Sequence, residues 1–123
     1  TRQICQSVAK HPRTGQMVWF NQANLFHVSG LPSEIQRSLL SNFDEDSLPR
    51  NVYFGDGERI EPEVISHINQ VYEREAVNFP WRNGDILMLD NMLIAHGRNP
   101  FTGHRKVVVG MAEPFSNENF ALD

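Results

Sequence analysis

Between Glu61 and Met111 the apolar residues change their rhythm, and that change limits the folds open to the chain. In EPEVISHINQVYEREAV, Val64, Ile65, Ile68, Val71 and Tyr72 make one stripe at helical spacing. Pro62 suits a first helical turn, and Glu61 and Glu63 suit its positive end. Beyond that stripe the runs AVNFPW, DILMLDN, LIAHGR and KVVVGMAE are short, apolar and separated by Gly, Asn and Pro. Several are apolar on both faces, which is the pattern of strands enclosed in a two-layer sandwich. The C-terminal half is therefore expected to be mostly β, with the helices packed outside the sheets or between their edges.

The first half adds a second helix and several turns. KHPRTGQ reads as a turn punctuated by Pro12 and Gly15, and MVWFNQ as a short strand. LPSEIQRSLLSNF opens with Ser33 and Gln36 at capping-box spacing, and Ile35, Leu39, Leu40 and Phe43 share one side. DEDSLPRN is a polar loop, and VYFGDGERI reads as a hairpin about a Gly-Asp-Gly turn. The 123 residues suit one small domain or a piece of a larger one. The net charge of -4 and the lack of any Lys/Arg-rich run argue against nucleic acid or an anionic membrane as partner. No apolar run approaches the length of a membrane span. Cys5 is the single cysteine, so no internal disulfide forms, and a reducing cytoplasm is the simple expectation. The chain begins with Thr, from which a processed, excised or incomplete polypeptide is expected.

Chemistry centres on NMLIAHGRNPFTGHRKVVVGM. In LIAH, Ile94 and His96 share one face of a strand and Leu93 and Ala95 the other. A histidine on a buried strand face needs partners for its nitrogens. It is either a core histidine bonded to a backbone carbonyl or a metal ligand. Pro100 and Gly103 can turn the chain back, so that Arg105 comes alongside residues 96–98. An arginine there either anchors a carboxylate in its planar fork or closes a surface ion pair of small worth.

The longer wording FPWRNGDILMLDNMLIAHGRNPFTGHRKVVVGM resembles the C-terminal core of the taurine dioxygenase-like (TauD/TfdA) family of iron(II)/2-oxoglutarate oxygenases. HPRTGQMVWFNQANLFHVSGLP and PRNVYFGDGERIEPEVISHI agree with it in order, and the whole is most similar to the branch that includes syringomycin-biosynthesis hydroxylases. The resemblance implies the C-terminal portion of a double-stranded β-helix, or jelly roll. It implies iron(II) held by two histidines and a carboxylate, with 2-oxoglutarate as co-substrate. His96 would be the distal iron ligand and Arg105 the grip on the far carboxylate of 2-oxoglutarate, with Arg98 in reserve. WFNQANLF corresponds to a region near the substrate pocket, where Asn21 and Gln22 would orient a polar, small-molecule substrate and Phe26 or Leu25 would wall it. Plain strand packing and a polar loop are the other reading of that stretch.

The family's first two ligands come as His-x-Asp or His-x-Glu. Arg13, Ser29, Asn69, Arg98 and Lys106 stand two places after the five histidines, so that pair is absent from the chain. Residues 1–123 are accordingly expected to be a single, partial oxygenase domain lacking its N-terminal part. The expected partner is the missing half or a second copy of the chain, which would cover exposed edges and apolar surface. The leading expectation is a segment of a hydroxylase acting on a small amino-acid-like molecule in natural-product assembly. The rival is a catalytically incompetent jelly-roll interaction domain. His11 and His27 read as structural, His67 as solvated and His104 as an exposed turn residue. Asp90 and Asn91 read as groups that hold the following loop, and NFDEDS as a solvated acidic turn without calcium-loop spacing.

Overall fold

The computed structural model describes residues 1–115 of the chain. They form two compact units, one of residues 1–5 and 21–85 and one of residues 6–20 with 86 onward.

The first unit is helical. It runs from α1 (Ala23–Phe26) through a 3-10 turn (Val28–Gly30), α2 (Ser33–Asn42) and a second 3-10 turn (Glu45–Ser47) to α3 (Pro62–Glu75). The helix expected from the 61–77 stripe is α3. Pro62 occupies its first turn, Glu63 lies at its positive end and Arg74 at its negative end. Ile65 is the stripe's buried member, at 1% exposure, where α3 lies against α1 and the first 3-10 turn. Asn24 on α1 is buried too, and its amide donates to Asn69 Oδ1 on α3 at 2.8 Å. That bond satisfies a polar group that would otherwise cost free energy. Gly30 follows because no side chain fits: a Cβ there would overlap the Asn24 carbonyl.

Loops of this unit are tied by side chains. Val28 N–H donates to Asn51 Oδ1 at 3.2 Å, and Asn51 Nδ2 donates to Glu45 Oε1 at 3.5 Å. Glu45 also pairs with Arg59 at 2.7 Å. The NFDEDS stretch is thus not simply solvated, since Glu45 fastens two loops. VYFGDGERI closes as a hairpin, with a bridge between Tyr53 and Arg59 and Gly57 at positive φ.

Two expectations for these elements fail. The capping box does not form: Pro32 is the N-cap of α2, Ser33 is already helical, and no side chain caps the turn. With Ser33 inside the first turn, its hydroxyl is no longer placed to accept from the third helical N–H. The strand-packing alternative for WFNQANLF fails over its second half, because Ala23–Phe26 is α1.

The second unit is built on a hairpin of β1 (Val8–Lys10) and β2 (Met17–Trp19), paired antiparallel with Ala9 opposite Val18. Its turn is HPRTGQ, closed by His11 N–H to Gln16 O at 2.8 Å and Gly15 N–H to His11 O at 2.9 Å. Gly15 has φ of 71°, which its lack of a Cβ allows. The remainder, residues 86–115, contains no helix or strand. The expected mostly-β half, its two-layer sandwich and a full jelly roll therefore do not appear among the described residues. DILMLDN, LIAHGR and KVVVGMAE are exposed stretches with Ile86, Met88 and Met111 each above 90% exposure. The physical reason is that strand hydrogen bonds are made to another strand, so an apolar run lacking a neighbour forms no ladder.

Candidate functional site

His11 is the best-held ionisable residue of the second unit. It is only 3% exposed. Arg13 N–H and Thr14 N–H both donate to its Nδ1, at 3.3 and 3.1 Å. A nitrogen that accepts from backbone amides carries no proton, so the proton sits on Nε2, which donates to Asp90 Oδ2 at 3.0 Å. The hydrogen bond from His11 is the chief cause that holds the Asp90 carboxyl below its ordinary value, helped by Met92 N–H donating to Oδ1 at 3.0 Å. Asp90 also accepts at its backbone oxygen from Leu93 and Ile94. The expected structural roles of His11 and Asp90 agree with this geometry. Their pairing across 79 positions was not visible in the sequence, because no local pattern joins them.

Asp90 starts the stretch that carries the candidate residues. Two further contacts fasten its far end to the hairpin: Arg13 pairs with Glu113 at 2.6 Å, and the Phe20 and Phe115 rings meet edge-on at 5.3 Å. His96, Arg98 and Arg105 lie in the arc between these attachments. His96 is exposed and outside any strand, so the expected buried strand face does not exist here. The reason is the one given above, that no neighbouring strand covers this stretch.

Arg98 and Arg105 are brought together. Each guanidinium lies 5.2 Å from the centroid of the Phe101 ring. Each contact contributes about 0.5–1 kcal/mol at an exposed site. The chain bends at Gly103, whose φ is 87°, and the two arginines approach the ring from either side of it in sequence. Among the described residues neither arginine has an acidic partner, whereas Arg2, Arg13, Arg59 and Arg74 do. Two guanidiniums gathered on one ring suit a carboxylate ligand.

The donor set for a metal is less complete. No group of three His, Cys, Asp or Glu among the described residues could hold a metal ion. His96 alone does not fit an iron site, so any ion it binds takes its other ligands from outside these residues.

The proposed substrate contacts lie in the helical unit. Gln22 is the N-cap residue of α1 without a side-chain cap bond, Asn21 is half-buried, and Phe26 is exposed under the Arg50 guanidinium at 5.7 Å. His27 is structural, as expected. It is buried, and its Nδ1 accepts from Ser29 Oγ at 2.7 Å and Ser29 N–H at 3.2 Å, capping the 3-10 turn. Burial lowers its pKa, opposed by a backbone hydrogen bond with Ile60 and the charge of Glu45. His67 and His104 are exposed. Among the described residues no helix is long and apolar enough to cross a membrane.

A wide polar groove of about 520 Å³ lies in the helical unit, lined by Ser29, Gln36, Ser66, Asn69 and Glu73 among others. It contains none of the expected site residues.

The chain belongs to the taurine catabolism dioxygenase family (TauD, TfdA), whose pattern it matches over residues 1–111. It is similar to the dapdiamide synthesis protein DdaC of Enterobacter agglomerans, with 40% identity over 114 residues. That match covers 93% of this chain and 35% of the relative. It is also similar to a clavaminate synthase-like protein of Arabidopsis thaliana, 34% identical over 71 residues, or 57% of this chain and 22% of that one. The chain thus spans about a third or less of the curated relatives it matches. No solved structure matches it significantly.

Proposed function

We propose that this chain is the C-terminal segment of an iron(II), 2-oxoglutarate-dependent hydroxylase. The reaction class is C–H hydroxylation by dioxygen, in which one oxygen atom enters the substrate as hydroxyl and the other enters succinate as 2-oxoglutarate loses carbon dioxide. Family membership supports the class. The observation that carries the reading on this chain is the convergence of Arg98 and Arg105 on Phe101 without an acidic partner among the described residues. In this reading Arg105 grips the far carboxylate of 2-oxoglutarate and His96 supplies one iron ligand. The other two ligands come from the remainder of a longer polypeptide or from a second copy of the chain. The same partner would cover the exposed apolar side chains of residues 86–111. Asn21, Gln22 and Phe26 contact a small amino-acid-like substrate, and the setting is natural-product biosynthesis in the cytoplasm. The name of the dapdiamide synthesis relative supports the biosynthetic part of that setting.

The test uses the complete protein. His96→Ala is expected to abolish iron-dependent formation of succinate from 2-oxoglutarate. Arg105→Ala is expected to raise the 2-oxoglutarate requirement by about 10–100-fold, the worth of a charge-assisted hydrogen bond. Retained succinate formation by His96→Ala overturns the ligand assignment. A second reading, a jelly-roll interaction domain without catalytic competence, is favoured by the lack of a three-ligand group among the described residues. Turnover by the complete protein that depends on His96 would eliminate it.

A further inference from the structure

We propose that Phe101 is a positioning residue, whose ring gathers Arg98 and Arg105 into one clamp for a small dicarboxylic acid. The inference takes the identity of that acid, 2-oxoglutarate, from the reading above. The clamp itself rests on geometry. Arg98 and Arg105 read in the sequence as alternatives for one task, yet both guanidiniums sit 5.2 Å from the same ring centroid. They are therefore no further apart than twice that distance. In a regular strand, residues three apart point to opposite faces, so Arg98 and Phe101 would not meet. Pro100 and the positive φ of Gly103 break that regularity and let both side chains reach the ring.

Among the described residues the arrangement carries an unbalanced charge. Two guanidiniums held near one another repel, and no carboxylate of the described residues lies between or beside them as an ion-pair partner. The negative face of the ring offsets part of this repulsion, since a cation over an aromatic face is attracted to its quadrupole. A doubly charged organic acid offsets more, and the planar forks of two arginines offer it more hydrogen-bond donors than a single arginine can. Phe101 is itself 47% exposed, so the ring does not seal the arginines away from a ligand. A leucine at 101 would fill part of the space but has no quadrupole, and a tryptophan would hold cations better than phenylalanine does.

The clamp is tested by following the Nε–Hε signals of Arg98 and Arg105 in NMR spectra of the chain while 2-oxoglutarate, succinate or acetate is added. In the parent chain, 2-oxoglutarate and succinate are expected to shift both signals along one saturation curve, and acetate to bind more weakly. Phe101→Leu is expected to remove the ring-current displacement of both signals and weaken the dicarboxylate titration by about three- to tenfold, whereas Phe101→Trp restores both. Arg98→Gln is expected to weaken the same titration. Unchanged signals from α3 in each variant show that it is folded. The clamp is overturned if 2-oxoglutarate moves Arg105 alone, if no acid moves either signal, or if Phe101→Leu or Arg98→Gln binds as the parent does. Failure of the oxygenase reading shows elsewhere, in the His96→Ala turnover measurement, because these signals do not report on iron.

Discussion

Ile65 on α3 is 1% exposed, while Val108 in the second unit is 82% exposed, although both belong to clear apolar runs. The difference lies in where each backbone finds its hydrogen bonds. α3 satisfies its own N–H and C=O groups along Pro62–Glu75, so its stripe needs only a neighbouring surface, which α1 and the first 3-10 turn provide. The KVVVG run can satisfy its backbone only against another strand, and none lies beside it among the described residues. A helix therefore takes shape from local sequence, and an enclosed strand does not. The largest expected effect follows from this contrast. Ile65→Ala should destabilise the chain by about 2–5 kcal/mol, as for other buried isoleucines, and Val108→Ala by less than about 0.5 kcal/mol. Urea unfolding followed by circular dichroism measures both. A cost for Val108→Ala approaching that of Ile65→Ala would mean that the 86–111 stretch is covered in solution and that the contrast is false.

Two glycines sharpen the same contrast at a smaller scale. Gly30 touches the Asn24 carbonyl so closely that a Cβ has no room, whereas Gly97, beside His96, has nothing within 4 Å of an added Cβ. Gly30→Ala is expected to cost about 1–3 kcal/mol through forced displacement of α1 backbone. Gly97→Ala is expected to change stability by less than about 0.5 kcal/mol. The same unfolding experiment reads both. If Gly97→Ala were instead the more costly of the two, backbone would have to approach the His96 segment closely, as in an assembled sandwich.

These contrasts also explain what could be read from the residues alone. α2 and α3 were legible because amphipathic spacing, Pro62 and the flanking acids all act within one turn of one another. The HPRTGQ and Gly-Asp-Gly turns were legible for the same reason, since positive φ at Gly15 and Gly57 is a local requirement. The runs after Val77 were correctly seen as apolar, but an apolar run does not name its neighbour, and the sandwich they suggested is not present among the described residues. Arg98 and Arg105 each stand out in the sequence, while their common seat on Phe101 does not. Phe101 is one of 8 phenylalanines, and only the bend at Gly103 sets it apart. The His11–Asp90 bond was hidden for a stronger reason: nothing between positions 11 and 90 repeats or alternates in a way that ties the two together.

The smallest expected effect concerns a motif that was present in sequence and absent in space. Ser33 and Gln36 have capping-box spacing, yet Pro32 holds the N-cap position with φ of -52° and ψ of 140°. Proline has no N–H, so a side chain at the third helical position would find no donor at the N-cap in any case. The first turn of α2 relies instead on Glu34, whose charge suits the positive end of the helix. Ser33→Ala is therefore expected to change stability by only a few tenths of a kcal/mol, against about 1 kcal/mol for loss of a working cap. The sign is expected to be favourable or neutral, because alanine is the better helix former. A loss near 1 kcal/mol in thermal or urea unfolding would show that Ser33 caps the helix in solution, moving the start of α2 by one residue and reinstating the box.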